Sequence, residues 1–455
     1  MTGASPFVQV PVAGFPALRR VGLANRMIAR NRSGRTAKCP VATCFYIFAA
    51  FCVLPFLEIP LIGLSFTAPL FLIVAGAAVL RPARRWFPDY NRWISLAGFI
   101  WVSLLLGMVM HLGITDLLPT ARVFLDFTYW LVVFLGTAHF ASTSLTYNRI
   151  TTVLAISVSM LAVIRLFEAL ALGSVGAWSG LVLQSQNNYA ILFTTFSPFL
   201  LIFLVSKRWR HRLLALLGLL VVWTAAVING SRGCWAGMAI GTLVFTVLFT
   251  CSKPRRAWFL WIGLAFVSVC VAALVISSEI ARSTFSDRWA TLSSLENEKS
   301  FMVRQYLNQK SWALFEESPL FGVGLGQYQE AHANIEIPPW YKGRESEFDK
   351  RSSHNSYLSL LAETGLAGAI PFAIFLLVLI GFGGVAAVRL TRRGHIWALG
   401  IFVGFISMAI HMWAISSLTN TATWFVYGLA ASLVVVARRK QPRVAAFFPQ
   451  KAFAA

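Results

Sequence analysis

The feature that most constrains this chain is a succession of apolar runs about 20 residues long, parted by short polar turns. Such a run, wound as a helix, matches the hydrocarbon thickness of a bilayer. Lipid offers no partner for backbone N–H and C=O groups, so each run has to be helical. Runs fall at 41–62, 64–81, 92–112, 120–139, 150–172, 188–206, 211–229, 233–252, 257–278, 360–388, 395–416 and 420–437. The expectation is an all-α, polytopic membrane protein with about twelve spans and one long polar interruption. Composition agrees: 57% of the 455 residues are hydrophobic, 12% are charged and the mean hydropathy is +0.69. No soluble domain of this length needs so much apolar surface.

Charge sets the orientation. A net charge of +22 on a soluble chain would suggest nucleic acid. Here 27 of the 39 Lys and Arg gather in every second turn and in the two terminal tails, so topology explains the sign and no nucleic-acid partner is expected. The basic turns include 81–92, 207–212, 253–256 and 389–393, with basic tails at both ends. By the positive-inside rule these lie in the cytoplasm. Most of the 17 acids lie between Glu279 and Glu363, which places the polar stretch outside. The organisation expected is a basic cytoplasmic tail over 1–40, nine spans in 41–278, an outer loop over 279–355, three spans in 356–437 and a cytoplasmic tail over 438–455. The first apolar run begins near Cys44 behind the basic tail, so no cleavable signal is expected. Six scattered cysteines without a CxxC pair suggest neither a disulfide framework nor zinc.

The outer face gathers the chemistry. Ser352-Ser353-His354-Asn355-Ser356 precedes a run in which, on a helix, His354, Leu358, Leu361 and Gly365 would share a face. Glu363 would point roughly the other way, so it is not a direct partner of the imidazole. The stretch reads either as the amphipathic start of a span or as part of a site. Arg232 sits in Asn229-Gly230-Ser231-Arg232-Gly233, a short outer turn that the charge rule should leave neutral. A helix start with an arginine binds anions, whereas the bland alternative is an arginine snorkelling at a helix end. Arg304 lies on the polar side of an amphipathic segment, where a solvated face is the alternative. Pro319-Leu320-Phe321-Gly322-Val323-Gly324-Leu325-Gly326 lacks the preceding strand of a dinucleotide fingerprint and reads as a tight turn laid against a neighbour or ligand. Gln186-Asn187-Asn188-Tyr189 offers amides that cap a helix or bind sugar hydroxyls.

Other charges have plainer readings. Arg122 and Asp126 can pair along one helix, or Arg122 can face an anion. Arg165 and Glu168 lie three apart within a span and neutralise each other, although ions inside a membrane are functional suspects. Glu345, Glu347 and Asp349 could hold a metal, but Lys342, Arg344, Lys350 and Arg351 crowd them, and a solvated, lid-like loop is the expectation. No DxD, HExxH or serine nucleophile elbow is present.

Two arginines and a histidine near the lipid boundary suit a doubly anionic head group. Guanidinium forks bind phosphate oxygens and stabilise charge on a leaving phosphate. An imidazole can take the proton of an attacking hydroxyl. Together they describe metal-independent transfer of a group from a lipid-linked pyrophosphate to an alcohol.

The run His354-Asn355-Ser356-Tyr357-Leu358…Glu363-Thr364-Gly365, with Ser231-Arg232-Gly233, Arg304 and Pro319-Leu320-Phe321-Gly322-Val323-Gly324, resembles the bacterial O-antigen ligase/polymerase superfamily. The resemblance covers about Gln186 to Pro371. It implies a GT-C-like membrane glycosyltransferase with its large loop in the periplasm. It implies inverting transfer of a glycan from undecaprenyl pyrophosphate to a hydroxyl, with no metal, nucleotide or other cofactor. Carried over, Arg232 and Arg304 hold the donor pyrophosphate and His354 activates the acceptor. Arg122, Asn187, Asn188, Asn355, Gly322 and Gly324 are the further substrate-binding candidates. Where family members often have Asn-Pro-Asn, this chain has Gln186-Asn187-Asn188. The member expected is the ligase of lipopolysaccharide biosynthesis, with lipid A–core as acceptor, in the bacterial inner membrane. The polymerase and the protein O-oligosaccharyltransferase share the motifs, and a lipid-linked glycan flippase is the alternative of another class.

Overall fold

The computed structural model describes residues 40–54, 58–59, 64–65, 90–111, 117–141, 144–172, 186–290, 299–333, 335 and 351–438. The chain is an all-α polytopic membrane protein. Its helices are α1 (Pro40–Val53), α2 (Tyr90–Met110), α3 (Leu117–Phe140), α4 (Ser144–Leu172), α5 (Gln186–Phe196), α6 (Pro198–Leu204), α7 (Trp209–Asn229) and α8 (Arg232–Ser252). They continue as α9 (Pro254–Ser277), α10 (Glu279–Ala290), α11 (Lys299–Glu317), α12 (Ser356–Arg392), α13 (Trp397–His411) and α14 (Thr421–Arg438). A two-residue hairpin pairs β1 (Glu58–Ile59) with β2 (Leu64–Ser65), antiparallel. Among the described residues nine spans are long and apolar enough to cross a membrane, one of them formed by α5 and α6 together.

The first expected span, 41–62, is corrected. Helix α1 stops at Val53, ahead of Pro55, whose ring and missing N–H cannot continue it, and Glu58–Ile59 are extended. Most of the expected span 64–81 lies outside the described residues.

The bundle is apolar both inside and out, as a membrane demands. Phe134, Phe375, Trp424 and Tyr427 are buried together, with Phe134 and Phe375 edge to face at 5.1 Å. Phe167, Val269 and Ile276 point outward on helices that span the bilayer. Helix α14 packs on α3, α8 on α13, and α4 on α7. Small residues bring such helices close. A Cβ on Gly428 would stand 2.6 Å from the Phe134 carbonyl oxygen, so only glycine allows that approach.

Helix α12 is broken. Gly365 has φ 56° and ψ −158°, so a short helix, 356–364, meets a long one that continues to Arg392. A break inside a membrane helix leaves donors and acceptors that something must satisfy. The glycine turn after α11 does so from both sides. Val323 and Gly324 donate to the Ala362 and Glu363 carbonyls at 2.9 and 3.1 Å. Leu366 and Ala367 donate to the Pro319 and Leu320 carbonyls, each at 2.9 Å. The two backbones nearly touch: a Cβ on Gly322 would meet the Glu363 carbonyl carbon at 2.4 Å, and one on Gly365 would meet that of Leu320 at 2.5 Å. Both glycines also have positive φ, which L side chains rarely adopt.

Candidate active site

At the end of the bundle where α7, α12 and α13 present their site-side termini, four segments converge. His354 comes just before α12, and it is not helical. Its φ is 53°, the one positive φ among the described non-glycine residues. The expected shared helical face of His354, Leu358, Leu361 and Gly365 is therefore corrected at both ends: α12 begins after His354 and breaks at Gly365. Asn355 is the N-cap, and its Oδ1 accepts from the amides of Tyr357 and Leu358 at 3.1 and 3.2 Å. Ser353 Oγ donates to the Asn355 carbonyl at 2.8 Å. Ser356 N donates to the Met412 carbonyl at 3.0 Å and Ser356 Oγ to that of Ile415 at 2.6 Å. Buried bonds on both sides thus hold the one unusual residue between them.

The imidazole is electrostatically distinctive. Burial and the charges of Arg304 and Arg351 lower the His354 pKa to about 4. The ring is neutral at neutral pH, with an open lone pair for a proton. Arg304, on α11, also lies within electrostatic reach of His411 at the end of α13. His411 Nδ1 is 2.9 Å from Thr194 Oγ1. Its Nε2 is so close to the start of α8 that a Cβ on Gly233 would lie 3.1 Å away. Arg232 is the first residue of α8, capped by Ser231, whose Oγ accepts from Cys234 N at 3.4 Å. Asn229 Nδ2 donates to the Gln186 carbonyl at 2.9 Å, which ties the Arg232 turn to the start of α5 and so to Asn187 and Asn188. His354, Arg304, His411 and the Arg232 turn thus form one chain of neighbours from α12 to α8.

The glycine turn borders this group from the other side of α12. Glu363 faces the turn, where its Oε1 accepts from Tyr328 N at 3.4 Å, in agreement with its separation from His354. His111 Nε2 lies 2.9 Å from the Gly322 carbonyl and its Nδ1 2.7 Å from that of Gly107. Gln327 Nε2 donates to Thr120 Oγ1 at 2.9 Å. Gly322 and Gly324 thus lay their backbone against the broken helix and His111. Burial of Tyr328 raises its pKa, and its hydroxyl donates to the Leu307 carbonyl at 2.9 Å.

Arg122 is exposed on α3, while its neighbours Thr120 and Val123 touch the turn. Arg122 and Asp126 form no ion pair, so their pairing along the helix is not seen. Arg165 and Glu168 do pair, at 3.3 Å with both side chains 2% exposed. Tyr189 donates to Glu168 at 2.8 Å and its ring lies 5.2 Å from the Arg165 guanidinium, so the pair clamps α4 to α5. Glu345, Glu347 and Asp349 lie outside the described residues, among which no group of three metal-type side chains occurs. Sequence reasoning missed His411 and His111. Each was visible only as a histidine at the end of an apolar run, without a surrounding motif.

Fold and site together define a membrane protein with a histidine–arginine polar centre at one end of its helical bundle. Residues 217–373 match the family described as O-antigen ligase, and this match supports a relationship to the O-antigen ligase superfamily. The match runs from α7 into α12 and contains Arg232, Arg304, the glycine turn and His354. No curated protein matches the chain.

Proposed function

We propose that the protein is an inverting, metal-independent glycosyltransferase of GT-C type that moves a glycan from undecaprenyl pyrophosphate to a hydroxyl of lipid A–core, as an O-antigen ligase. The observation that carries this reading is His354: a neutral imidazole, held outside the helix in a left-handed conformation, with the charges of Arg304 and Arg351 directed at it. In this reading Arg232 and Arg304 grip the two phosphates, and Asn187, Asn188 and Asn355 lie along the sugar path. His354 removes the acceptor proton as the hydroxyl attacks the anomeric carbon from the face opposite the pyrophosphate. The new glycosidic bond forms as the anomeric C–O bond breaks, and undecaprenyl pyrophosphate leaves with the bonding electrons. The arginines stabilise the charge that develops on it. The positive-inside pattern supports a periplasmic position, at an inner membrane, for this end of the bundle.

The test is reconstitution of purified protein with an undecaprenyl-pyrophosphate glycan, with and without lipid A–core, and separation of products by gel. Glycan on lipid A–core is the expected product. Longer lipid-linked chains without acceptor would make the protein a polymerase. The absence of either product would contradict the reading and turn attention to protein acceptors or transport.

A further inference from the structure

The end of the bundle opposite His354 carries a feature that glycan transfer does not use. The turns α6–α7, α8–α9 and α12–α13 meet there around two adjoining cavities of about 560 and 540 Å³. The cavities share Lys207, Arg256, Gly394 and Ile396. Arg208 and His211 line one, Lys253 and Arg255 the other, and among the described residues no acid lines either. Some nearby cations are engaged: Lys253 Nζ donates to the Arg392 carbonyl at 3.0 Å, and Arg212 Nε to that of Ser206 at 2.6 Å. The side chains of Lys207, Arg208, Arg255 and Arg256 make no hydrogen bond or ion pair with a described residue. The positive-inside rule explains cations on this face, but not a chamber walled by them.

What adjoins the chamber identifies its ligand. An apolar groove of about 640 Å³ runs between α4 and α7 and shares Thr152, Phe203 and His211 with the second cavity. Its walls include Ile156, Met160, Leu214 and Leu217, all exposed on the outside of the bundle. A free phosphate would fill the chamber and leave the groove empty. A neutral lipid would fill the groove and leave the cations unmatched. Only an anionic amphiphile matches both compartments.

We propose that this is a binding site for an anionic phospholipid of the leaflet that meets the basic turns. Its phosphodiester lies against Lys207, Arg208 and Arg256, and an acyl chain lies along the α4–α7 groove. Guanidinium forks suit phosphate oxygens, and basic pockets between membrane helices are a recurrent seat for acidic head groups. The bound lipid joins three interhelical turns that otherwise repel one another.

Native mass spectrometry of the full chain in neutral detergent tests this, with dioleoylphosphatidylglycerol and dioleoylphosphatidylcholine as probes. The phosphatidylglycerol adduct should survive with about tenfold higher affinity. The double variant Lys207→Ala/Arg256→Ala should lose that preference, as should the single exposed change Arg208→Ala in part. Leu214→Trp, which fills the groove and leaves every cation in place, should weaken the adduct. Millimolar inorganic phosphate should not displace it. Equal binding of the two lipids, an unchanged preference in the double variant, or displacement by phosphate would each overturn the proposal.

Discussion

His354 occupies a backbone conformation that costs a non-glycine residue about 1–3 kcal/mol. The bonds of Ser353, Asn355 and Ser356 hold it there, and in the proposed mechanism that strain aims the ring. Glycine adopts φ near 53° freely, so His354→Gly should melt at the same temperature as the native protein or higher, while transfer falls about 10²–10⁴-fold. A lower melting temperature would mean that the imidazole holds the fold rather than the chemistry. The lowered pKa gives a second expectation. A base works in its unprotonated form, and that form persists down to about pH 5 when the pKa is about 4. The acid limb of kcat/KM, which reports the free enzyme, should therefore fall near pH 4 and not near 6.5. A limb at 6.5 would place the imidazole in water, away from Arg304 and Arg351. Arg232 tests the grip on phosphate. Arg232→Lys keeps the charge and loses the fork, and should cost at least about tenfold in transfer; an unchanged rate would leave Arg232 as a topological anchor.

At the scale of elements, the broken helix α12 and the glycine turn form one unit. Four backbone bonds cross between them, and two positive-φ glycines make the crossing possible. Gly365→Ala forces a Cβ into the Leu320 carbonyl and puts alanine at φ 56°, ψ −158°, a combination essentially confined to glycine. It should lower the melting temperature and, because the short helix 356–364 carries the His354 segment, reduce transfer as well. Gly381→Ala on the same helix, where an added Cβ meets nothing within 4 Å, should do neither. Equal behaviour of the two variants would mean that the break is incidental. This unit was only half legible in the sequence. The glycines announced a turn laid against a neighbour, but periodicity treated 354–365 as one helix. Periodicity registers where apolar side chains recur; it does not register that a segment some forty residues upstream supplies the hydrogen bonds that permit a break.

Across the whole molecule, apolar run lengths were enough to foresee an all-α membrane bundle, because lipid permits little else. They overran at 41–62, where Pro55 and the hairpin stop a run that hydropathy alone continues. Arg232, Arg304 and His354 were separable from ordinary interface charges only as a set, since each alone has a bland reading. His411, which bridges that set, was hidden among apolar neighbours. Topology itself is testable at this scale. In a variant without the six native cysteines, a cysteine at Gln327 should react with an impermeant thiol reagent in intact spheroplasts, and one at Arg255 only after lysis. The reverse pattern would put the His354 end of the bundle in the cytoplasm and remove a periplasmic donor from consideration.

The most direct measurement is the rate at which His354→Ala protein transfers glycan from undecaprenyl pyrophosphate to lipid A–core, beside a measurement of donor binding by the same protein. The account predicts donor bound as by the native protein and transfer reduced about 10²–10⁴-fold, because Arg232 and Arg304 remain while the base is gone. Transfer at the native rate would contradict it.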